Sequence, residues 1–77
     1  MRIVVNNPAA LSVLRIKGGL SMKDLAERIG IDKGTLYNIE KGFSNPRPST
    51  AKSICTALSV DFDTLFTIVA EWEGGYQ

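Results

Sequence analysis

No histidine occurs anywhere in the 77 residues, and cysteine occurs once, as Cys55. The first absence removes the side chain that most often serves as general base or metal ligand. The second rules out a disulfide within the chain, and nothing here requires an oxidising compartment. No apolar run approaches the ~20 residues needed to span a membrane. The opening residues 1–8 hold too short an apolar run for a signal peptide. A soluble, cytoplasmic protein is therefore expected. Internal repeats and low-complexity stretches are missing, as are a phosphate-binding glycine loop, a metal-ligand cluster and a nucleophile–base pair. That leaves little for an enzyme, a metal or a cofactor. Lysine and arginine are missing from residues 53–77, where Asp61, Asp63, Glu71 and Glu73 give a charge of −4. Residues 1–52 hold all nine cations against Asp24, Glu27, Asp32 and Glu40, a charge of +5. A basic body with an acidic end suits a polyanion partner, although chance patterning accounts for it nearly as well.

What is present is a single domain. A chain of 77 residues buries only about 60% of its unfolded surface, enough for one small core and too little for a deep two-layer cleft. Its 44% hydrophobic and 22% charged content is that of a folded globular protein.

Taken in order, residues 2–6 are β-branched and read as a strand or extended arm. Asn7 and Pro8 then open a helix over residues 8–17, with Ala10, Leu11 and Leu14 on one face and Gly18-Gly19 at its end. Ser21 caps a second helix, and Asp24 three residues on makes a capping box. Leu25, Ala26 and Ile29 form its inner face, and Gly30 ends it in the left-handed conformation. Asp32 caps a third helix, running to about Lys41, with Leu36 and Ile39 inward and Gly42 as C-cap. By the same periodicity Lys33, Gly34, Tyr37, Asn38 and Lys41 face outward. Residues 43–47 form a loop. A fourth helix starts at Pro48, with Ala51, Ile54, Cys55 and Leu58 on its apolar side. A fifth, capped by Asp61, closes the core through Phe62, Leu65 and Phe66. The β-branched run Thr67-Ile68-Val69 favours a strand over more helix, and residues 74–77 should fray. The expected fold is all-α, a compact five-helix domain with a core over residues 8–66. Short β-strands are possible at the two termini, and residues 67–77 form a C-terminal extension.

The pattern of Leu11, Leu14 and Arg15, Gly19-Leu20-Ser21, Leu25-Ala26, Gly30-Ile31, Thr35, Ile39-Glu40-Lys41-Gly42, Pro46 and Ala57-Leu58-Ser59-Val60 resembles the Cro/repressor-like (XRE-type) helix-turn-helix domains of bacteria and their phages. The likeness covers roughly residues 8–66. The residues around 2–11 also resemble small actinobacterial and actinophage members. The resemblance implies a compact bundle with its third helix in the DNA major groove and its second crossing the backbone. It also implies an ion pair between Arg15 and Glu40 that fixes the angle of the third helix.

On that reading Asn38 is the sharpest base-reading candidate, because its amide both donates to and accepts from adenine. Lys33 reaches either a guanine or a phosphate. Gly34 offers no side chain but permits close backbone approach. Tyr37 meets a thymine methyl or a phosphate, or is simply an amphipathic surface ring. Candidate backbone contacts are Arg15, Ser21, the Met22 N–H, Lys23, Thr35, Lys41, Ser44, Asn45 and Arg47, which position the domain without reading sequence. Thr35 could alternatively serve only to start its helix, and Lys17 adds long-range charge. Cys55 reads as a buried structural thiol. Trp72 packs either under the terminal arm or in a dimer interface. The expected function is a sequence-specific transcriptional regulator, a phage or bacterial repressor binding double-stranded DNA as a homodimer. The alternative is an antitoxin or accessory factor whose C-terminal end grips a protein partner.

Overall fold

The computed structural model describes residues 1–70, so expectations for Trp72 and the last residues lie outside the described part. The chain runs β1 (Arg2–Val5), α1 (Pro8–Lys17), α2 (Met22–Ile29), α3 (Lys33–Glu40), α4 (Pro48–Leu58), α5 (Phe62–Leu65) and β2 (Phe66–Val69). The helix starts follow from local chemistry. Asn7 accepts from the Ala9 N–H at 3.0 Å, and Pro8 occupies the first turn of α1, where a missing N–H costs nothing. At α2 the capping box closes in both directions: Ser21 Oγ accepts from the Asp24 N–H at 3.0 Å, and the Ser21 N–H donates to Asp24 Oδ2 at 3.1 Å. Gly30, at φ +79°, ends α2, and the Ile31 N–H returns to the Ala26 carbonyl at 3.0 Å. Asp32 then starts α3 at once, its Oδ1 accepting from the Gly34 N–H at 3.0 Å and the Thr35 N–H at 3.3 Å.

Both capping carboxyls are held below the ordinary aspartate range, Asp24 first by the Ser21 N–H and Asp32 first by the Thr35 hydroxyl. A depressed folded value means that the contribution is complete above the unfolded value and is lost as pH falls through the folded one. The loss therefore lies below about pH 4. An Asp24→Asn, Asp32→Asn double variant should melt lower than wild type at neutral pH and show a shallower fall in melting temperature under acid. Parallel acid profiles for the two proteins would count against this.

Leu11, Leu25, Ala26, Leu36, Ile39, Ala51, Ile54, Cys55, Leu65 and Phe66 form the buried core, joined by Ile3 from β1. Ile29 and Leu58 are only half-buried at its edge. Burial pushes the Cys55 thiol up, which suits an inert packing role.

Three local expectations need correction. The C-cap of α3 is Lys41, and Gly42 is the next residue, at φ +77°. Asp61 sits at the start of α5 but its side chain makes no capping hydrogen bond. Phe66 belongs to β2 rather than to α5, which is a single turn. That last difference has a tertiary cause, because β1 offers an edge that a β-branched segment can join.

The terminal strands pair antiparallel within the chain, Ile3 opposite Ile68 and Val5 opposite Phe66. Asn6 locks this two-stranded sheet to the bundle. Its N–H donates to the Leu65 carbonyl at 2.8 Å, its Nδ2 donates to the Asp63 carbonyl at 3.0 Å, and its Oδ1 accepts from the Thr67 hydroxyl.

Candidate nucleic-acid interface

The outward face of α3 is presented by a buried polar network behind it. Glu40 is 1% exposed. Arg15 Nε donates to Glu40 Oε2 at 2.8 Å, and Arg15 Nη2 lies 3.4 Å from Oε1. Ser12 Oγ donates to the same Oε1 at 2.9 Å. The remaining end of the guanidinium, Nη1, donates to the Leu20 carbonyl at 2.9 Å, one residue before the cap of α2. One cation thus ties α1, the α1–α2 turn and the last turn of α3. The Arg15 side chain is 12% exposed, with three of its five N–H groups directed to Glu40 and Leu20.

With Leu36, Ile39 and Glu40 turned inward, Lys33, Gly34, Thr35, Tyr37, Asn38 and Lys41 are all exposed. Lys33, Tyr37 and Lys41 follow each other at four-residue spacing, and Gly34 and Asn38 make the adjacent row. Gly34 has a local reason. A Cβ at this position would come within 3.2 Å of Asp32 Oδ1, so a side chain there presses on the cap that starts the helix. Thr35 also has its hydroxyl committed: Oγ1 donates to Asp32 Oδ2. In this arrangement the hydroxyl helps to start the helix.

Beyond α3 the loop folds back on the helix. The Phe43 and Ser44 N–H groups both donate to the Asn38 carbonyl, at 2.8 and 3.3 Å. Ser44, Asn45 and Arg47 then line a groove of about 420 Å³ with Asp32, Thr35, Ile39 and Thr50. Four of the expected backbone contacts, Thr35, Ser44, Asn45 and Arg47, therefore share one groove beside the exposed helix. Ser21 and Lys23 are exposed at the start of α2, while the Met22 side chain is half-buried against the core.

Two residues of this region are not singled out by the sequence. Ser12 completes the Glu40 network, and its only signal is its position three before Arg15 on the same helix face. Phe43 is 72% exposed and meets Tyr37 edge to face, with centroids 6.4 Å apart. Lys41 Nζ lies 5.6 Å from the centroid of the same Tyr37 ring.

The helix-turn-helix family model matches residues 11–65. Over 57 residues the chain is 39% identical to the HTH-type transcriptional regulator SutR of Escherichia coli (strain K12), an alignment covering 74% of this chain and 32% of SutR. The chain thus spans about a third of the length of that curated relative. Among solved structures, the clp gene regulator ClgR from Corynebacterium glutamicum superposes with a TM-score of 0.68 at 29% identity, covering 74% of this chain and 62% of ClgR. The restriction-modification controller protein C.AhdI from Aeromonas hydrophila gives a TM-score of 0.68 at 28% identity, covering 74% of this chain and 86% of C.AhdI.

Proposed function

Since this chain belongs to the helix-turn-helix family, we propose that it is a DNA-binding transcriptional regulator that occupies an operator with α3 in the major groove. The observation that carries the reading is the face of α3, where Lys33, Tyr37, Asn38 and Lys41 stand exposed over a buried Arg15–Glu40 brace. Asn38 is assigned to a base edge, with a bidentate contact to adenine. Lys33, at the entering end, serves a guanine or a phosphate. Ser21, Lys23, Lys41, Ser44, Asn45, Arg47 and the Met22 N–H are assigned to the sugar-phosphate backbone, where they set position rather than sequence. The site needs no cofactor for this work.

One such unit offers few base contacts, so useful specificity calls for two copies on a palindromic site. The proposed dimer surface is the two-stranded sheet formed by the terminal strands. Its strands already pair within one chain, yet Met1 is 86% and Ile68 54% exposed. A protein working this way belongs in the cytoplasm of a bacterial or phage-infected cell.

Selection of bound sequences from random duplex DNA tests the reading. It should return a half-site repeated with dyad spacing of about one helical turn. No enrichment over random DNA would instead favour a protein-binding role for the fold. The backbone assignment has its own check in salt dependence. Arg47→Ala should weaken binding to all sequences alike and lower the slope of log affinity against log salt by about 1. An unchanged slope would remove Arg47 from the contact set.

A further inference from the structure

We propose that Tyr37 and Phe43 form a paired aromatic corner that docks the C5-methyl group of a pyrimidine in the major groove, an inference that rests on α3 being the recognition helix. Phe43 is 72% exposed and Tyr37 44%, so the two rings leave an apolar surface open on an otherwise polar face. They are not independent. Their centroids lie 6.4 Å apart with planes at 66°, an edge-to-face arrangement. The backbone holds Phe43 in place, because Gly42 turns at φ +77° and the Phe43 N–H donates to the Asn38 carbonyl at 2.8 Å. The rings therefore sit beside the residue assigned to base reading. Lys41 Nζ, 5.6 Å from the Tyr37 centroid, puts a cation at the same corner, suited to the adjoining phosphate.

The chemistry selects the ligand. Base edges in the major groove present donors and acceptors, and their one apolar group is a methyl on pyrimidine C5. Thymine carries it, and so does 5-methylcytosine. Readout from α3 is also thin elsewhere, since Gly34 has no side chain and Thr35 is committed to Asp32. An apolar contact at Tyr37 and Phe43 supplies discrimination that these two positions do not.

The test uses the full chain and the duplex recovered by selection, with affinities measured by fluorescence anisotropy. In one arm every thymine is replaced by uracil, and in the other every cytosine by 5-methylcytosine. Wild type should lose about three- to tenfold on the uracil duplex if thymine is the source, or gain as much on the methylated duplex if 5-methylcytosine is. Phe43→Ala should show less than about a twofold response in either arm, and Phe43→Leu, which keeps an apolar side chain, should retain most of it. A wild type indifferent to both replacements overturns the proposal. So does a Phe43→Ala variant that is weakened but responds to the methyl as wild type does, since the ring would then be packing on deoxyribose or on protein. Neither result disturbs the DNA-binding reading, which fails separately if selection returns no preferred duplex.

Discussion

Arg15→Met is expected to lower stability by about 3–5 kcal/mol, because it leaves the Glu40 carboxylate buried without its counter-charge. Glu40 is 1% exposed and holds Arg15 Nε at 2.8 Å. After the substitution the Ser12 hydroxyl, at 2.9 Å, is its one remaining side-chain partner among the described residues. The Leu20 carbonyl also loses the Arg15 Nη1 donor. In a domain this small each kcal/mol moves the melting temperature by about 4–8 °C. The variant should therefore melt more than about 12 °C lower and lose DNA binding along with its fold. The penalty belongs to the stranded charge rather than to the loss of a favourable pair. An Arg15→Met, Glu40→Leu double variant should accordingly be more stable than Arg15→Met alone. Thermal unfolding followed by circular dichroism decides the matter. Wild-type-like melting of Arg15→Met would show that the network does not hold α3 in place.

Asn38→Ala is expected to act on the opposite quantity, leaving the melt nearly unchanged and reducing affinity for the selected operator by roughly tenfold to a hundredfold. The magnitude follows from the ~1–3 kcal/mol of discrimination that a bidentate amide–adenine contact supplies. The substitution leaves the fold alone because the side chain is exposed and the Asn38 carbonyl, which accepts from the Phe43 and Ser44 N–H groups, is retained. Affinity for random-sequence duplex should not move, since that binding comes from backbone charge. Lys33→Ala makes a useful contrast, as loss of a phosphate contact weakens both duplexes together. Equal weakening of operator and random DNA by Asn38→Ala would reassign Asn38 to the backbone set.

Much of the architecture is local chemistry that can be read along the chain. Asn7-Pro8, the Ser21/Asp24 box, Gly30 and Asp32 act on neighbours within a few residues, so α1, α2 and α3 start where those side chains place them. The inward rows of α2 and α3 follow in turn from helical spacing, which is why Leu25, Ala26, Leu36 and Ile39 are legible as core. The Arg15–Glu40 pairing is different. Its partners lie 25 residues apart, and it entered through the resemblance to a family rather than through any local pattern.

Contacts between distant segments decided the remainder. The β-branched run Thr67-Ile68-Val69 already pointed to a strand, but that Phe66 joins it rather than α5 depended on β1, which lies some 60 residues earlier and supplies the missing edge. Ser12 became part of the brace only when α3 brought Glu40 against it. Phe43 acquired a ring to pack on only when the loop turned back on α3. The stretch from Ser21 to Lys41 could thus be recognised from its own caps and spacing. Which of its neighbours brace it, and which share its exposed face, required the folded chain, because hydrogen-bond geometry and burial act across space and leave no periodic trace in sequence.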